Sequence, residues 1–188
     1  LKGVLSSDEL FKLEEMPESL VIIGGGVISV EFATAFSALG CKVTILEAMP
    51  RLVPNMDKEI SQSLKMLLKK RDIDVHTSAG VQSVEERDGA YVCKYTEKEK
   101  ECEASAQYVL CAVGRIPNTE GLFAEDAVPE MERGRIVVDE HFKTSIPGVY
   151  AVGDLIKGMQ LAHTASAQGV VVIEYLNGKD PSIDLSVV

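Results

Sequence analysis

Leu20-Val21-Ile22-Ile23-Gly24-Gly25-Gly26-Val27-Ile28-Ser29-Val30-Glu31 is the stretch from which the rest of the chain can be read. Leu20 to Ile23 is a short, mostly β-branched apolar run, the composition of a strand buried on both faces. It runs directly into three glycines. From about Val27 to Leu39 the spacing predicts a helix. Ser29, Ala33 and Ser37 recur every four residues, so one helix face carries only small side chains and can lie close on a sheet. Gly40 is the expected C-cap. Gly24-x-Gly26-x-x-Ser29 therefore stands between a strand and a helix, the context in which this fingerprint marks a dinucleotide site. The first glycine permits the tight turn, the second lets backbone approach a pyrophosphate, and the third position must be small for helix–strand packing. The helix start adds unpaired N–H groups and the positive end of the helix dipole. Ser29 stands where a third glycine is usual, which leads us to expect weakened rather than lost binding. The alternative is a glycine-rich turn that holds no ligand.

Outward from this core, Lys42 to Leu46 reads as a second strand closed by Glu47, twenty-one residues beyond Gly26. An acidic side chain there accepts hydrogen bonds from the adenosine ribose hydroxyls and faces a 2′-phosphate with like charge, so NAD is expected over NADP. Arg51 is the one nearby cation that could reverse this preference. Pro50 and Pro54 mark a loop, and Asn55 or Asp57 could cap a second helix whose apolar stripe is Ile60, Leu64, Leu67 and Leu68. Asp72 to Thr77 reads as a third strand. Val81–Glu86 and Ala90–Thr96 alternate and are joined by Asp88-Gly89, a hairpin signal. Glu97 to Glu101 reads as a solvated turn, and Tyr108 to Val113 as another buried strand. Leu1 to Glu18 reads as an entry segment without period. The order β-α-β-α-β, meander, β predicts an α/β fold, a Rossmann-like parallel sheet with an antiparallel β-meander insertion.

Composition narrows the function. The chain has 188 residues, 46% of them hydrophobic and 26% charged, ordinary for a folded globular protein. A net charge of −10 argues against nucleic acid and anionic membrane surfaces, both of which call for clustered Lys and Arg. No apolar run approaches the roughly 20 residues of a membrane-spanning helix. With no signal-peptide pattern in Leu1 to Phe11, a cytoplasmic or organelle-matrix protein is expected. Cys41, Cys93, Cys102 and Cys111 form neither a CxxC nor a CxxxxC pair and are expected to be buried thiols acting as small hydrophobes. His76 and His141 match no motif. No catalytic residue and no metal ligand is assigned.

Four ordered segments carry a family resemblance. Val21 to Glu31 resembles the NAD-domain opening of the pyridine nucleotide-disulfide oxidoreductases, as does Val43-Thr44-Ile45-Leu46-Glu47 with Leu52-Val53-Pro54 after it. Gly114-Arg115-Ile116-Pro117-Asn118-Thr119 is similar to that family's GRxPNT element. Thr144 to Asp154 is similar to its second flavin-binding motif, with Leu161-Ala162-His163 at the spacing of the dihydrolipoamide dehydrogenase branch.

The resemblance implies roles. Gly24, Gly25, Gly26, Val27, Ile28, Ser29, Val30 and Glu31 would hold the pyrophosphate and face the nicotinamide, with Glu31 nearest the reacting ring. Glu47 would take the adenosine ribose, Val81 would line the adenine side, and Gly114 would approach the dinucleotide through its backbone. Asp154 would bind the ribityl chain of FAD. Gln160, Leu161, Ala162 and His163 would set helix-start N–H groups against the flavin's pyrimidine edge, where reduced flavin carries negative charge. The implied domains are residues 1–118, binding NAD, and 119–188, the second part of an FAD-binding domain.

The family's own opening GxGxxG, its CxxxxC redox disulfide and its interface domain are not written here, so the chain is expected to be a central fragment. Its expected partners are NAD(H) and the remainder of its own enzyme, a homodimer that passes hydride between NAD(H) and FAD; the chain alone should be inactive. A stand-alone NAD-binding module, or another NADH-dependent disulfide reductase, is the alternative. In a fragment, Gly148 to Val152 would be a strand without its home sheet, and Val170, Val171 and Ile173 would expect a packing partner.

Overall fold

The computed structural model describes residues 1–187, so Val188, the last residue of the expected second domain, lies outside the described residues. The chain divides into two compact units, the first spanning Leu1–Gly114 and the second beginning at Arg115.

The first unit opens with β1 (Val4–Leu5) and α1 (Ser7–Leu10), followed by β2 (Ser19–Ile23), α2 (Val27–Ala38), β3 (Lys42–Glu47), α3 (Lys58–Lys69) and β4 (Asp74–Thr77). A meander of β5 (Ala79–Arg87), β6 (Ala90–Glu97) and β7 (Lys100–Ala106) leads into β8 (Tyr108–Cys111). The main sheet has the order β1-β8-β2-β3-β4, and all its pairings are parallel. This is the Rossmann-like sheet with an antiparallel insertion expected from the sequence. Successive residues of β2 explain why its run is apolar throughout. Leu20 and Ile22 enter one core with Ala33, Leu68 and Leu110, while Val21 enters a second core with Leu46 of β3 and with Tyr91, Cys93 and Tyr95 of the meander.

Helix α2 lies on the sheet through its small face. Ser29 and Ala33 are fully buried, and the Ser37 hydroxyl donates to the Arg71 carbonyl at 3.0 Å. It ends in a Schellman arrangement, with Cys41 N–H donating to Phe36 O and Gly40 N–H to Ser37 O around Gly40 at φ +92°.

Several expectations change. The entry segment holds β1 and α1, the latter opened by a capping box in which Ser6 and Glu9 bond each other's backbone N–H. The charge run Glu97–Glu101 contains the turn to a third meander strand, since Lys98 and Glu99 both have positive φ and β7 begins at Lys100. On α3, Ser61 and Leu68 face the sheet with Leu64 half-buried, whereas Ile60 and Leu67 are more than half exposed. These two share a face turned about 100° away from the buried row. Cys41 and Cys93 are buried, and burial pushes each thiol up to about 11. Cys102 is only half-buried, and Cys111 is exposed at the end of β8, so the expectation of buried thiols fails for both.

The second unit pairs β9 (Met131–Glu132) with β10 (Arg135–Ile136), then runs through a 3₁₀ turn at Gly153–Leu155 to α4 (Ala162–Leu176). Ile136, Ala151 and Ile156 are its buried centre. Gly148 to Val152 does not form a strand left unpaired. Its backbone bonds locally instead, Ala151 N–H to Phe142 O and Thr144 N–H to Val149 O, both at 3.0 Å. On α4, Val171 is buried while Val170 and Ile173 are exposed. Among the described residues no helix is long and apolar enough to cross a membrane.

Candidate nucleotide-binding site

The C-terminal ends of β2, β3 and β8 and the start of β5 converge on one cleft of about 460 Å³. Parallel α/β sheets commonly place ligands at this end of their strands. Gly24, Gly25 and Gly26 form its floor, Glu47, Ala48 and Met49 one side, and Gly80 and Val81 another, with Gly114 also in the lining. Of the residues singled out in the sequence, the structure thus brings Gly24, Gly25, Gly26, Glu47, Val81 and Gly114 together. Val27 and Glu31 are exposed along α2, and Ile28 is half-buried. Val30 packs against the core, and Ser29 is fully buried.

The three glycines have different reasons to be glycine. Gly24 has φ +104°, and a Cβ there would lie 2.5 Å from the Ala112 carbonyl oxygen. At Gly25 a Cβ would meet the Leu52 and Glu47 side chains at 2.7 and 2.8 Å. Gly26, the N-cap of α2, has φ −75° and ψ −176°, an extended conformation open to any residue, and a Cβ there would meet nothing within 4 Å. Gly80 likewise has open space around it. It was not singled out from the sequence, although a glycine inside a strand is itself a sign that something approaches the backbone.

Glu47 is 7% exposed. Its Oε2 accepts from the Gly25 N–H, and its Oε1 accepts from the Met49 N–H at 2.5 Å. The carboxylate therefore ties the glycine turn to the loop after β3 and keeps lone pairs for further donors. The same loop is held by Val53 N–H on Gly25 O at 2.8 Å and by Ser78 N–H on Met49 O at 2.9 Å. Arg51 turns away from the cleft. It donates to the Pro54 carbonyl at 2.7 Å and lines a different hollow with Lys58 and Lys65. Beside Val81 the β5–β6 register shifts, a bulge that re-aims this strand at the cleft.

The Ser29 hydroxyl has no hydrogen-bond partner. A buried, unpaired hydroxyl costs about 1–3 kcal/mol, and alanine is also the better helix former. Ser29→Ala is therefore expected to raise the melting temperature by about 2–4 °C per kcal/mol recovered. Calorimetry on the two proteins checks this, and an equal or lower melting temperature would show that the hydroxyl is satisfied.

In the second unit, Gly153 N–H donates to Gln168 Oε1 at 2.7 Å, and its Cα lies against Ala165, so the turn carrying Asp154 is locked onto α4. The Asp154 side chain is exposed. Leu161 is the N-cap of α4 and offers no capping side chain. Gln160 is half-buried, while Leu161, Ala162 and His163 are exposed at that helix start.

One group is not bland as the sequence suggested. His76 is held between Glu97 and Asp74, at 2.8 and 3.0 Å. Burial works against its charge, but the Glu97 and Asp74 carboxylates outweigh this and hold its pKa above the ordinary 6.5. His141 stacks on Tyr175 with ring centroids 4.1 Å apart, a packing contact.

The family described as pyridine nucleotide-disulphide oxidoreductase matches residues 1–169. The chain belongs to this family. Among curated relatives, dihydrolipoyl dehydrogenase of Bacillus subtilis is 38% identical over 181 residues, covering 96% of this chain and 39% of the relative. That of Geobacillus stearothermophilus is 38% identical over 182 residues, with the same coverage. Among solved structures, the Cu(II) complex of the HOCl-induced flavoprotein disulfide reductase RclA from Escherichia coli has a TM-score of 0.84 at 32% identity, covering 96% of this chain and 41% of that one. LpdA from Mycobacterium tuberculosis has a TM-score of 0.85 at 27% identity, covering 98% and 40%. This member of the oxidoreductase family thus spans about two fifths of the length of the relatives it matches.

Proposed function

We propose that the cleft of the first unit binds NAD(H), in preference to NADP(H), as one part of a flavin-dependent disulfide oxidoreductase. Gly26 carries this reading. Neither its backbone angles nor any neighbouring atom requires glycine, so the space over it serves a ligand that comes closer than a side chain would allow. Gly80, in the same cleft, supports the reading in the same way. The pyrophosphate would lie over Gly24 to Gly26 at the start of α2, where amide groups and the helix dipole favour an anion. Glu47 would accept the adenosine ribose hydroxyls with its remaining lone pairs, and Val81 would cover the adenine. Gly114 would approach through its backbone, and Glu31, exposed on α2, would lie toward the nicotinamide.

The second unit is read as part of an FAD site. Asp154 would accept from the ribityl chain, and Gln160 to His163 would present the uncapped start of α4 to the flavin. When both cofactors are bound, nicotinamide C4 gives or takes a hydride and the flavin is its counterpart. The protein's share in this chain is binding and orientation, and the chain by itself is expected to bind without turning over a disulfide. Relatives named dihydrolipoyl dehydrogenase support dihydrolipoamide as the substrate of the whole protein, with the rest of that protein and a second copy as partners. The likeness to RclA supports a second reading, another flavoprotein disulfide reductase.

The test is a fluorescence titration with NADH and NADPH side by side. NADH is expected to bind at least about tenfold more tightly, because a 2′-phosphate beside the Glu47 carboxylate adds like-charge repulsion of about 1.4 kcal/mol or more. Equal affinities would remove the role given to Glu47, and binding of neither would remove the cleft as a dinucleotide site.

A further inference from the structure

The two sides of the cleft belong to different sheets, and besides core packing and the Ser78–Met49 bond, one polar side chain joins them behind the lining residues. His76 on β4 is the register partner of Leu46, and Thr77 is the partner of Glu47. Glu97 on β6 is the register partner of Ala79, and Thr96 and Tyr95 are the partners of Gly80 and Val81. Leu46, Glu47, Ala79, Gly80 and Val81 all line the cleft. The His76–Glu97 contact at 2.8 Å therefore joins the strand behind one wall to the strand behind the other. The covalent link between β4 and β5 is Ser78, a non-glycine residue at φ +55°.

We propose that His76 is a positioning residue for this cleft. As an imidazolium between Asp74 and Glu97, it holds the Leu46–Glu47 wall against the Ala79–Val81 wall, and the cleft loosens when it loses its proton. The geometry suits the charged form, which supplies an N–H to each carboxylate. Nδ1 faces Glu97 Oε2 at 2.8 Å and Nε2 faces Asp74 Oδ2 at 3.0 Å, and a neutral imidazole has one N–H for these two acceptors. Deprotonation leaves a ring lone pair against a carboxylate oxygen, so one contact must open. The Tyr95 hydroxyl can donate to a bare Nδ1, but only in place of the Glu97 contact, so it does not restore the fastening. The Tyr95 hydroxyl is 3.5 Å from Nδ1, Cys102 lies behind Tyr95, and Lys65 is bonded to Thr77 Oγ1 at 3.0 Å. Because the pKa is raised on folding, the fastening is complete below the ordinary value of 6.5 and is lost as the pH rises through the higher value of the folded protein.

The consequence for ligand binding rests on the dinucleotide reading, so the test separates the two. An NMR titration of the ligand-free chain from pH 6 to 9.5 follows the His76 ring together with the amides of Leu46, Ala79, Gly80 and Val81. Those amides are expected to move with the midpoint of the ring. NADH affinity is expected to fall about fivefold between pH 6.5 and 9, the lower end of ordinary coupling between sites. In Glu97→Gln the amide side chain can donate to a neutral Nδ1 or accept from a protonated one. Affinity should therefore persist while its dependence on pH flattens. Amides that do not follow the ring, or an unchanged pH profile in Glu97→Gln, would overturn the proposal. Amides that follow the ring in a chain that binds NADH at no pH would uphold the fastening and overturn the dinucleotide reading.

Discussion

Gly26→Val is expected to weaken NADH binding on the order of a hundredfold while leaving the fold in place. In the free protein the new side chain enters open space with backbone angles that suit it. The helix exchanges one modest N-cap for a poorer one, at a cost of about 1 kcal/mol. The ligand fares differently. A pyrophosphate seated on the start of α2 would be pushed off amide donors whose hydrogen bonds to a charged acceptor contribute about 1.5–3 kcal/mol each. Losing one or two of these accounts for the hundredfold at about 1.4 kcal/mol per decade. An NADH titration and a thermal melt on the same sample check both halves. Retained binding in a variant whose melt falls by only the few degrees that a lost cap explains would take the phosphates away from Gly26.

Two residues earlier, Gly24→Ala is expected to act on folding, lowering stability by about 3–5 kcal/mol, the range of the most damaging single substitutions. The methyl group would lie 2.5 Å from the Ala112 carbonyl oxygen and 2.9 Å from its carbon, and φ +104° is strained for alanine whatever the space. Neither partner can yield cheaply. The Ala112 N–H is bonded to Ile23 O at 2.9 Å and the Gly24 N–H to Leu46 O at 2.8 Å, so relief means parting β2 from β8 or β3. Against a total of about 5–15 kcal/mol for an ordinary domain, this is a large fraction. The urea midpoint of the variant measures it directly. A midpoint equal to that of the parent would mean that the turn relaxes and that Gly24 is not a steric requirement.

The contrast between these glycines shows what could be read from sequence. Gly24 and Gly26 are identical letters in a recognisable fingerprint, and both were singled out. That the sheet requires Gly24 while Gly26 faces open space became visible only when Ala112, nearly ninety residues away, was brought beside the first. Long elements with strong period, such as β2, α2 and β3, were legible because burial repeats along them. The two-residue β1 was not, because it owes its existence to pairing with β8 rather than to its own composition. Strand β7 was hidden for another reason. Its inward positions are Cys102, Ala104 and Ala106, small residues with little strand preference, and its turn is Lys98-Glu99, which carries no glycine to announce it. Ile60 and Leu67 are exposed because apolar character on a helix does not by itself fix which face meets the sheet. His76 carried no signal at all, since Glu97 is linked to it only by the register of the sheets.

The placement of β8 bears on the order in which the protein can assemble. It is the last strand of the first unit to leave the ribosome, yet it lies between β1 and β2, pairing Val4 with Val109 and Val21 with Val109. Until residues 108–111 emerge, β1 has no neighbour and β2 has one bare edge. The hydrophobic sheet is therefore completed only near the end of synthesis of this unit. Contacts that span most of the chain slow folding, and an unpaired apolar edge invites association with other chains. The interval of exposure lasts as long as translation of the meander, residues 79–106, that separates β4 from β8.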